Sequence, residues 1–268
     1  MTNFDSFIPA PLVWITVLTY GALIGSFLNV VIHRLPREES IVWPGSRCPH
    51  CQTALAWWDN IPLLSYALLG GRCRSCKKSI SWRYPLVEAL NAGLYAALFA
   101  AFGPTLQFLA LAAMASMLLA IFWIDLDTMY ILNGLTYPGI ALGVLYGGLI
   151  EGRWIASLAA AAAGYGLFWL ISTGARLYLK AIQSEHEDGM GMGDAKLAAM
   201  MGAWLGPTGL VVALFASFFL GSLIGLLLKA RSGKSEPFPF GPAMVIGAFA
   251  SLFAGDAIWR WYTGFLAG

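Results

Sequence analysis

The stretch Gly189-Met190-Gly191-Met192-Gly193-Asp194 joins a polar loop to a new apolar segment, and the rest of the chain is organised around it. Glycines at every second position allow positive φ angles and the close approach of another backbone. The carboxylate of Asp194 then stands at the threshold of an apolar helix. Because a carboxylate at bilayer depth is energetically costly, it indicates a functional site. Its candidate partner is Asp125, which ends another apolar run.

The composition is that of a membrane protein. Of the 268 residues, 59% are hydrophobic and only 11% are charged. A soluble domain carries about 25% charged residues, so this chain lacks the side chains that would cover a globular surface. The first apolar run, from Phe7 to Ile32, follows no basic residue and exceeds the ~7–15 apolar residues of a signal peptide, so we interpret it as a retained helix. The sequence therefore predicts an all-α protein that crosses the lipid bilayer several times.

Eight apolar segments predict about eight transmembrane helices, two of which are short for a bilayer. A spanning helix needs ~20 residues, and segments 134–150 and 195–206 have fewer. The second of these precedes Gly206-Pro207 and could be a tilted span, a half-span or part of a helical hairpin. The predicted segments are 10–33, 85–102, 104–124, 134–150, 154–175, 195–206, 208–228 and 242–262.

The basic residues predict how the chain is oriented. With eight spans, all Lys and Arg residues except Arg153 and Arg260 lie on one side of the membrane. Since cytosolic loops are rich in Lys and Arg, we expect both termini outside, and Asp125 and Asp194 at cytosolic helix ends. The predicted domains are a first transmembrane helix at 1–33, a cytosolic four-cysteine subdomain at 34–84 and a membrane domain at 85–268.

Two Cys-x-x-Cys motifs in segment 34–84 predict a metal site. They are separated by 21 residues, which is typical of structural zinc held by four thiolates. A segment of this size has too little core to be stable unaided, so a metal would stabilise it. Redox-active thiols and unliganded thiols are the alternatives, and the expected cytosolic side argues against stable disulfides. The predicted zinc ligands are Cys48, Cys51, Cys73 and Cys76.

The acidic residues at apolar segments allow several interpretations. Two carboxylates held close share one proton, so Asp125 and Asp194 could activate water and polarise a peptide carbonyl. Alternatively, each aspartate caps a helix or lies at the interface, or the acids line a cation or proton path. Asp127 would point away from Asp125 on a helix. Glu88 either stabilises a helix N-terminus or contacts a cationic ligand, and Lys196 either extends to the interface or tunes Asp194.

Together these motifs resemble those of the type IV prepilin peptidases, a family of membrane aspartyl proteases, over nearly the whole chain. The resemblance matches Asp125 and Asp194 to the family's two catalytic aspartates, the second within its Gly-x-Gly-Asp motif. One departure is Ile131-Leu132-Asn133, which lacks the proline of a Leu-Pro-Asp-like element, although Asn133 can still cap the next helix. Further similar stretches are 25–36, 48–51, 58–66, 71–76 and 83–88.

The resemblance implies two activities in the bacterial inner membrane. One is cleavage of the basic leader of type IV prepilins or type II secretion pseudopilins at the cytosolic membrane face. The other is methylation of the new N-terminus with S-adenosylmethionine as donor, which the family associates with the four-cysteine segment. Gly71 is the candidate residue for that activity because a missing side chain could admit a ligand; a simple turn glycine is the alternative.

The remaining expectations concern substrate, partners and a competing function. Gly191 and Gly193 are expected to let an extended substrate backbone approach Asp194. Glu185, Glu187 and Asp188 either attract a basic leader or form a solvated acidic loop. The cysteine spacing and the membrane tether argue against nucleic-acid binding. A metal- or proton-coupled transporter with a zinc-binding regulatory segment is the alternative function, and the sequence does not indicate an oligomeric state.

Overall fold

The computed structural model describes residues 9–181, 191–233 and 238–267, and α-helices form nearly all of the regular structure there. Within these residues the only β-structure consists of two isolated bridges at the cysteine motifs. The predicted all-α class is therefore confirmed. The helices are α1 Ala10–Arg34, α2 Leu64–Leu68, α3 Arg83–Phe102, α4 Leu106–Thr128, α5 Asn133–Leu149, α6 Trp154–Ala181, α7 Met192–Ser232 and α8 Gly241–Ala267, with short 3-10 turns at Leu35–Arg37 and Trp57–Asn60.

Six of the described helices are long and apolar enough to cross a membrane, namely α1, α3, α4, α6, α7 and α8. This count differs from the predicted eight at two places. Helix α5 has 17 residues, and at ~1.5 Å per residue it is about 26 Å long, short of a ~30 Å hydrocarbon core. Helix α7 has 41 residues and contains both predicted segments 195–206 and 208–228.

Helix α7 breaks at Gly206, as the Gly-Pro signal indicated. Gly206 has φ 71° and ψ −176°, a conformation that only glycine adopts without steric cost. Pro207 follows as the first residue of a new helical stretch, where a missing N–H does no harm. The break divides α7 into a first arm, residues 192–205, and a second arm, residues 207–232.

The neighbouring helix α6 shows that the two arms of α7 are antiparallel. The first arm passes from Ala198, which contacts Gly164, to Gly206 at the start of α6. The second arm then returns from Gly206 to Phe218, which stacks on Phe168 with 5.7 Å between ring centroids. Helix α7 is therefore a helical hairpin, one of the three alternatives predicted for segment 195–206.

Arg153 holds the turn of this hairpin. Its guanidinium donates hydrogen bonds to the carbonyl oxygen of Trp204 at 2.7 Å and to Oγ of Ser157 at 3.3 Å. It also lies over the ring of Tyr146, 5.9 Å from the centroid, and Tyr146 stacks on Trp204. These contacts satisfy a carbonyl that the helix break leaves without its intrahelical donor.

The chain divides into two compact units, Met1–Ala120 and Ile121–Gly268. In the first unit α1 packs tightly on α3, because a Cβ on Gly21 would lie 2.7 Å from Cα of Ala92 and one on Gly25 equally near Cα of Glu88. Small residues let membrane helices approach this closely. The second unit contains the end of α4 and helices α5 to α8. The predicted domain boundary between residues 84 and 85 stays a prediction.

Candidate active site

Asp125 lies in the last turns of α4, and its side chain is only 3% exposed. Its Oδ2 accepts a hydrogen bond from the backbone N–H of Gly241, the first residue of α8, at 2.9 Å. A helix N-terminus offers unsatisfied N–H groups and a partial positive charge. Asp125 therefore does cap a helix, as one interpretation of the sequence predicted. The helix whose free N–H it accepts is α8, however, and not its own helix α4.

Gly241 is the one residue at this contact that cannot carry a side chain. A Cβ built there would lie 2.5 Å from Oδ2 of Asp125 and 3.0 Å from its Cγ. The sequence reasoning missed Gly241, since it contributes a backbone N–H and no chemistry-bearing side chain. Gly241-Pro242 does signal a helix start, but nothing in the sequence names the carboxylate that the helix end meets.

Asp194 is the third residue of the first arm of α7 and is partly buried. The cap position of this helix is Gly191, and no side chain bonds to the free N–H groups, so Asp194 is not the helix cap. Its carboxylate lies within electrostatic range of Asp125. Asp127 is exposed on α4. The structure thus brings together the two aspartates that the sequence singled out.

The glycines before Asp194 provide space instead of an unusual backbone conformation. Neither Gly191 nor Gly193 has a positive φ. A Cβ on Gly191 would meet no described atom within 4 Å except the amide nitrogen of Gly193, whereas one on Gly193 would lie 3.0 Å from Cβ of Ile131. Among the described residues, no side chain therefore crowds Gly191. Gly189, Met190 and the acidic residues Glu185, Glu187 and Asp188 lie outside the described residues.

The two aspartates lie near the ends of their own helices, as predicted. They are not level with the Lys and Arg residues at the end of the longer helix α6. Ala198 contacts Gly164, and this antiparallel register places Asp194 level with Phe168, in the middle of α6. At ~1.5 Å per residue, Arg176 lies about 12 Å beyond that level. Phe168 belongs to a cluster of aromatic rings with Phe218 and Phe240. The carboxylates therefore adjoin an apolar layer.

Lys196 binds the start of α5. Its Nζ donates a hydrogen bond to Oδ1 of Asn133 at 2.6 Å and lies 5.5 Å from the ring centroid of Tyr137. Asn133 was expected to cap α5, but it is the first residue of that helix, and Leu132 occupies the cap position without a side-chain hydrogen bond. The side chain of Asn133 instead joins α5 to the first arm of α7, two residues after Asp194.

The four cysteines form a compact cluster in the first unit. Their Sγ atoms all lie within 4.8 Å of one another, and the separations are 3.8 Å for Cys48–Cys76 and 4.0 Å for Cys51–Cys73. A tetrahedral ion with Zn–S bonds of ~2.3 Å requires sulfurs about 3.8 Å apart. All four thiols are free, so the donor set and its dimensions fit a single metal ion.

The two cysteine motifs are built alike. The N–H of Cys48 donates to the carbonyl of Thr53 at 3.0 Å, and the N–H of Cys73 donates to the carbonyl of Lys78 at 2.9 Å. Antiparallel bridges flank both motifs. Hydrogen bonds with the side chain and backbone of Thr53 lower the pKa of Cys51 to about 6.

Gly71 lies in a turn and packs against an aromatic ring. Its φ is +65°, and a Cβ there would lie 3.0 Å from Cζ and Oη of Tyr66. Tyr66 itself donates a hydrogen bond to the carbonyl oxygen of Ile80 at 3.4 Å. The space beside Gly71 is therefore occupied by Tyr66.

Comparison with known proteins identifies two family regions. A model described as the bacterial peptidase A24 N-terminal domain matches residues 19–102, and one described as the type IV leader peptidase family matches residues 112–226. A relative from Aeromonas hydrophila is 38% identical over 93% of this chain and 94% of its own length. Relatives from Neisseria gonorrhoeae (33% identical, 90% of each chain) and Pseudomonas aeruginosa (37%, 96% and 95%) are similar. All three are named prepilin leader peptidase/N-methyltransferase. No solved structure matches this chain.

Proposed function

This chain belongs to the type IV leader peptidase family, and we propose that it cleaves the leader from type IV prepilins or type II secretion pseudopilins and methylates the new N-terminus. The observation that carries the proposal is the buried carboxylate of Asp125, held by Gly241 beside Asp194. The names of the relatives support both activities. None of the comparisons supports the alternative of a transporter.

Asp125 and Asp194 are the proposed catalytic pair. A negatively charged oxygen suits the position of Oδ2 of Asp125, because it accepts an N–H at the positive end of α8. Asp125 then takes a proton from water, while Asp194 donates its proton to the oxygen of the scissile carbonyl. The water oxygen attacks the carbonyl carbon to give a tetrahedral intermediate. Its C–N bond then breaks as the leaving nitrogen takes the proton from Asp125, and Asp194 recovers its proton from the hydroxyl of the intermediate as the carbonyl forms again.

The substrate reaches this pair as an extended strand in the proposed arrangement. A peptide bond inside a helix is enclosed by neighbouring turns, so cleavage needs local unwinding of the substrate. No described side chain lies within 4 Å of a Cβ built on Gly191, which supports this role for the glycine, and Gly193 keeps the first arm close to Ile131. A prepilin has a basic leader in the cytosol and an apolar helix in the membrane, which supports a pair that faces the cytosolic side of the inner membrane.

The four-cysteine cluster is the proposed site of a structural zinc ion. Four sulfurs at tetrahedral spacing support that assignment. The ion would join the two cysteine motifs, which otherwise share little apolar core. The proposed division of labour follows the predicted domains: residues 34–84 act in methyl transfer in the cytosol, with S-adenosylmethionine as methyl donor, and residues 85–268 act in proteolysis.

Replacing each aspartate by asparagine tests the catalytic pair. In purified enzyme reconstituted into vesicles with a prepilin substrate, Asp125→Asn and Asp194→Asn should each slow cleavage by about 10²–10⁴-fold, the usual contribution of an acid or base. Asp127→Asn, an exposed aspartate on the same helix as Asp125, should cleave normally. Methyl transfer to a substrate that is already cleaved should persist in all three variants. Normal cleavage by both Asp125→Asn and Asp194→Asn would exclude the pair.

A further inference from the structure

A cavity of about 480 Å³ lies in the first unit, and all of its lining residues fall between positions 26 and 88 of the sequence. Its walls come from α1, from the start of α3 and from the four-cysteine segment between them. Pockets for small molecules typically enclose ~300–1,000 Å³ and combine apolar walls with a few placed polar groups. The lining includes Asn29, His33, Arg47, Tyr66, Tyr84 and Glu88.

Glu88 is the buried acid of this cavity. Its side chain is 8% exposed, and Gly25 of α1 allows the two helices to meet at its Cα. Oε2 of Glu88 accepts a hydrogen bond from the backbone N–H of Leu63 at 2.8 Å. Leu63 has a φ of 61°, which is uncommon for a leucine. The carboxylate is therefore fixed in place at the junction of α3 and the four-cysteine segment.

Two arginines in the cavity lining, Arg34 and Arg74, already have partners. Arg74 forms a bidentate ion pair with Asp59, with Nη2 2.8 Å from Oδ1. Arg34 donates to the carbonyl oxygens of Ser40 and Pro44 at 3.0 and 2.7 Å. The guanidinium groups of Arg34 and Arg74 are therefore held by the protein itself. The buried carboxylate of Glu88 is a negative charge that a cationic group of a ligand can neutralise.

Aromatic residues complete the surroundings that a cation requires. Tyr66 and Tyr84 both line the cavity, and the faces of aromatic rings attract positive charge. Gly71, the residue that the sequence associated with methyl transfer, contacts Tyr66. A side chain on Gly71 would displace a ring that lines the cavity, which links this glycine to the same site.

We propose that this cavity binds S-adenosylmethionine and that Glu88 binds the positively charged part of that methyl donor. The inference rests on the proposed methyltransferase activity and adds the place where the donor is held. The donor carries a sulfonium and an ammonium group as well as a carboxylate, which Arg47 and Lys78 in the lining can meet. In the transfer, the amine nitrogen forms a bond to the methyl carbon, the C–S bond breaks to leave a neutral thioether, and the methylated amine releases a proton to water.

Donor binding to the full-length enzyme in detergent tests this assignment by titration calorimetry. Glu88→Gln keeps the shape and removes the charge, so the Kd for S-adenosylmethionine should rise at least about tenfold. Glu38→Gln, an exposed acid outside the cavity lining, should bind the donor like the wild type. Circular dichroism spectra and gel-filtration profiles that match the wild type should show that both variants are folded.

The outcomes separate this inference from the proposed function. If wild-type enzyme methylates and Glu88→Gln binds the donor with the wild-type Kd, the cavity assignment is wrong while the methyltransferase stands. If wild-type enzyme neither binds the donor nor methylates, the proposed second activity itself is wrong. Should Glu88→Gln fail to fold, ultraviolet cross-linking of labelled S-adenosylmethionine to wild-type enzyme decides: label within residues 26–88 supports the cavity, and label confined to residues 121–268 overturns it.

Discussion

Replacing Gly241 by alanine should impair proteolysis without touching either aspartate. The new Cβ would lie 2.5 Å from Oδ2 of Asp125, whereas Cβ atoms essentially never approach a heavy atom closer than 3.0 Å. The carboxylate or the start of α8 must therefore shift by about 0.5–0.9 Å, and a misplacement of ~1 Å at a catalytic group costs up to ~10²-fold in rate. We expect kcat/KM for prepilin cleavage to fall about 10–100-fold.

The same helix offers a matched control for this substitution. Gly264→Ala also adds one methyl group to α8, but a Cβ there meets no described atom within 4 Å, so cleavage should stay at the wild-type rate. Both variants are compared in vesicles over a range of substrate concentrations, with methyl transfer to a substrate that is already cleaved as a check on folding. If Gly241→Ala cleaves within twofold of Gly264→Ala, Gly241 does not position Asp125.

Three further predictions concern the supports of the two sites. Metal analysis of the purified protein should give one zinc per chain, and Cys51→Ser should lose it and make residues 34–84 sensitive to protease; four reactive thiols without zinc would contradict the site. Gly206→Ala should destabilise the protein by about 1–3 kcal/mol, measured by chemical denaturation, because φ is 71° and Arg153 occupies the space of a Cβ. The control is Gly166→Ala on α6, where a Cβ meets no described atom within 4 Å; it should not destabilise the protein, since alanine favours a helix more than glycine does. Lys196→Met should cost about 0.5–1.5 kcal/mol of stability through the lost, exposed hydrogen bond to Asn133 yet leave cleavage within a few-fold of wild type. A loss of cleavage as large as that of Asp194→Asn would show that the lysine acts on the carboxylate.

The sequence anticipated features that depend on composition and spacing. Apolar segments of about 20 residues correspond to helices, since the bilayer fixes their length and the backbone must satisfy its own hydrogen bonds. The spacing of Cys48, Cys51, Cys73 and Cys76 predicted one cluster, because each pair can meet a single ion from a short turn. The break at Gly206 followed from a Gly-Pro pair in an apolar run.

The sequence could not show features that depend on tertiary contacts. The hydrogen bond from Gly241 to Asp125 joins residues 116 positions apart through a backbone group, for which no residue type is diagnostic. Asn133 is a residue type that often caps helices, but its side-chain oxygen accepts a hydrogen bond from Lys196 instead. The depth of Asp194 depends on the register between α6 and α7, which small residues such as Gly164 set by close packing.

The unequal lengths of the helices in the second unit have a consequence for the surrounding lipid. Helix α6 and the second arm of α7 continue about 20 Å past the level of Asp194 at ~1.5 Å per residue, while α5 and the first arm begin near that level. Acyl chains beside the shorter helices face hydrophobic mismatch, which a bilayer relieves by thinning locally. We expect this thinning to bring headgroups and their hydration shell toward Asp125 and Asp194, the proposed catalytic pair. Cleavage should therefore be slower in vesicles made of lipids with longer acyl chains.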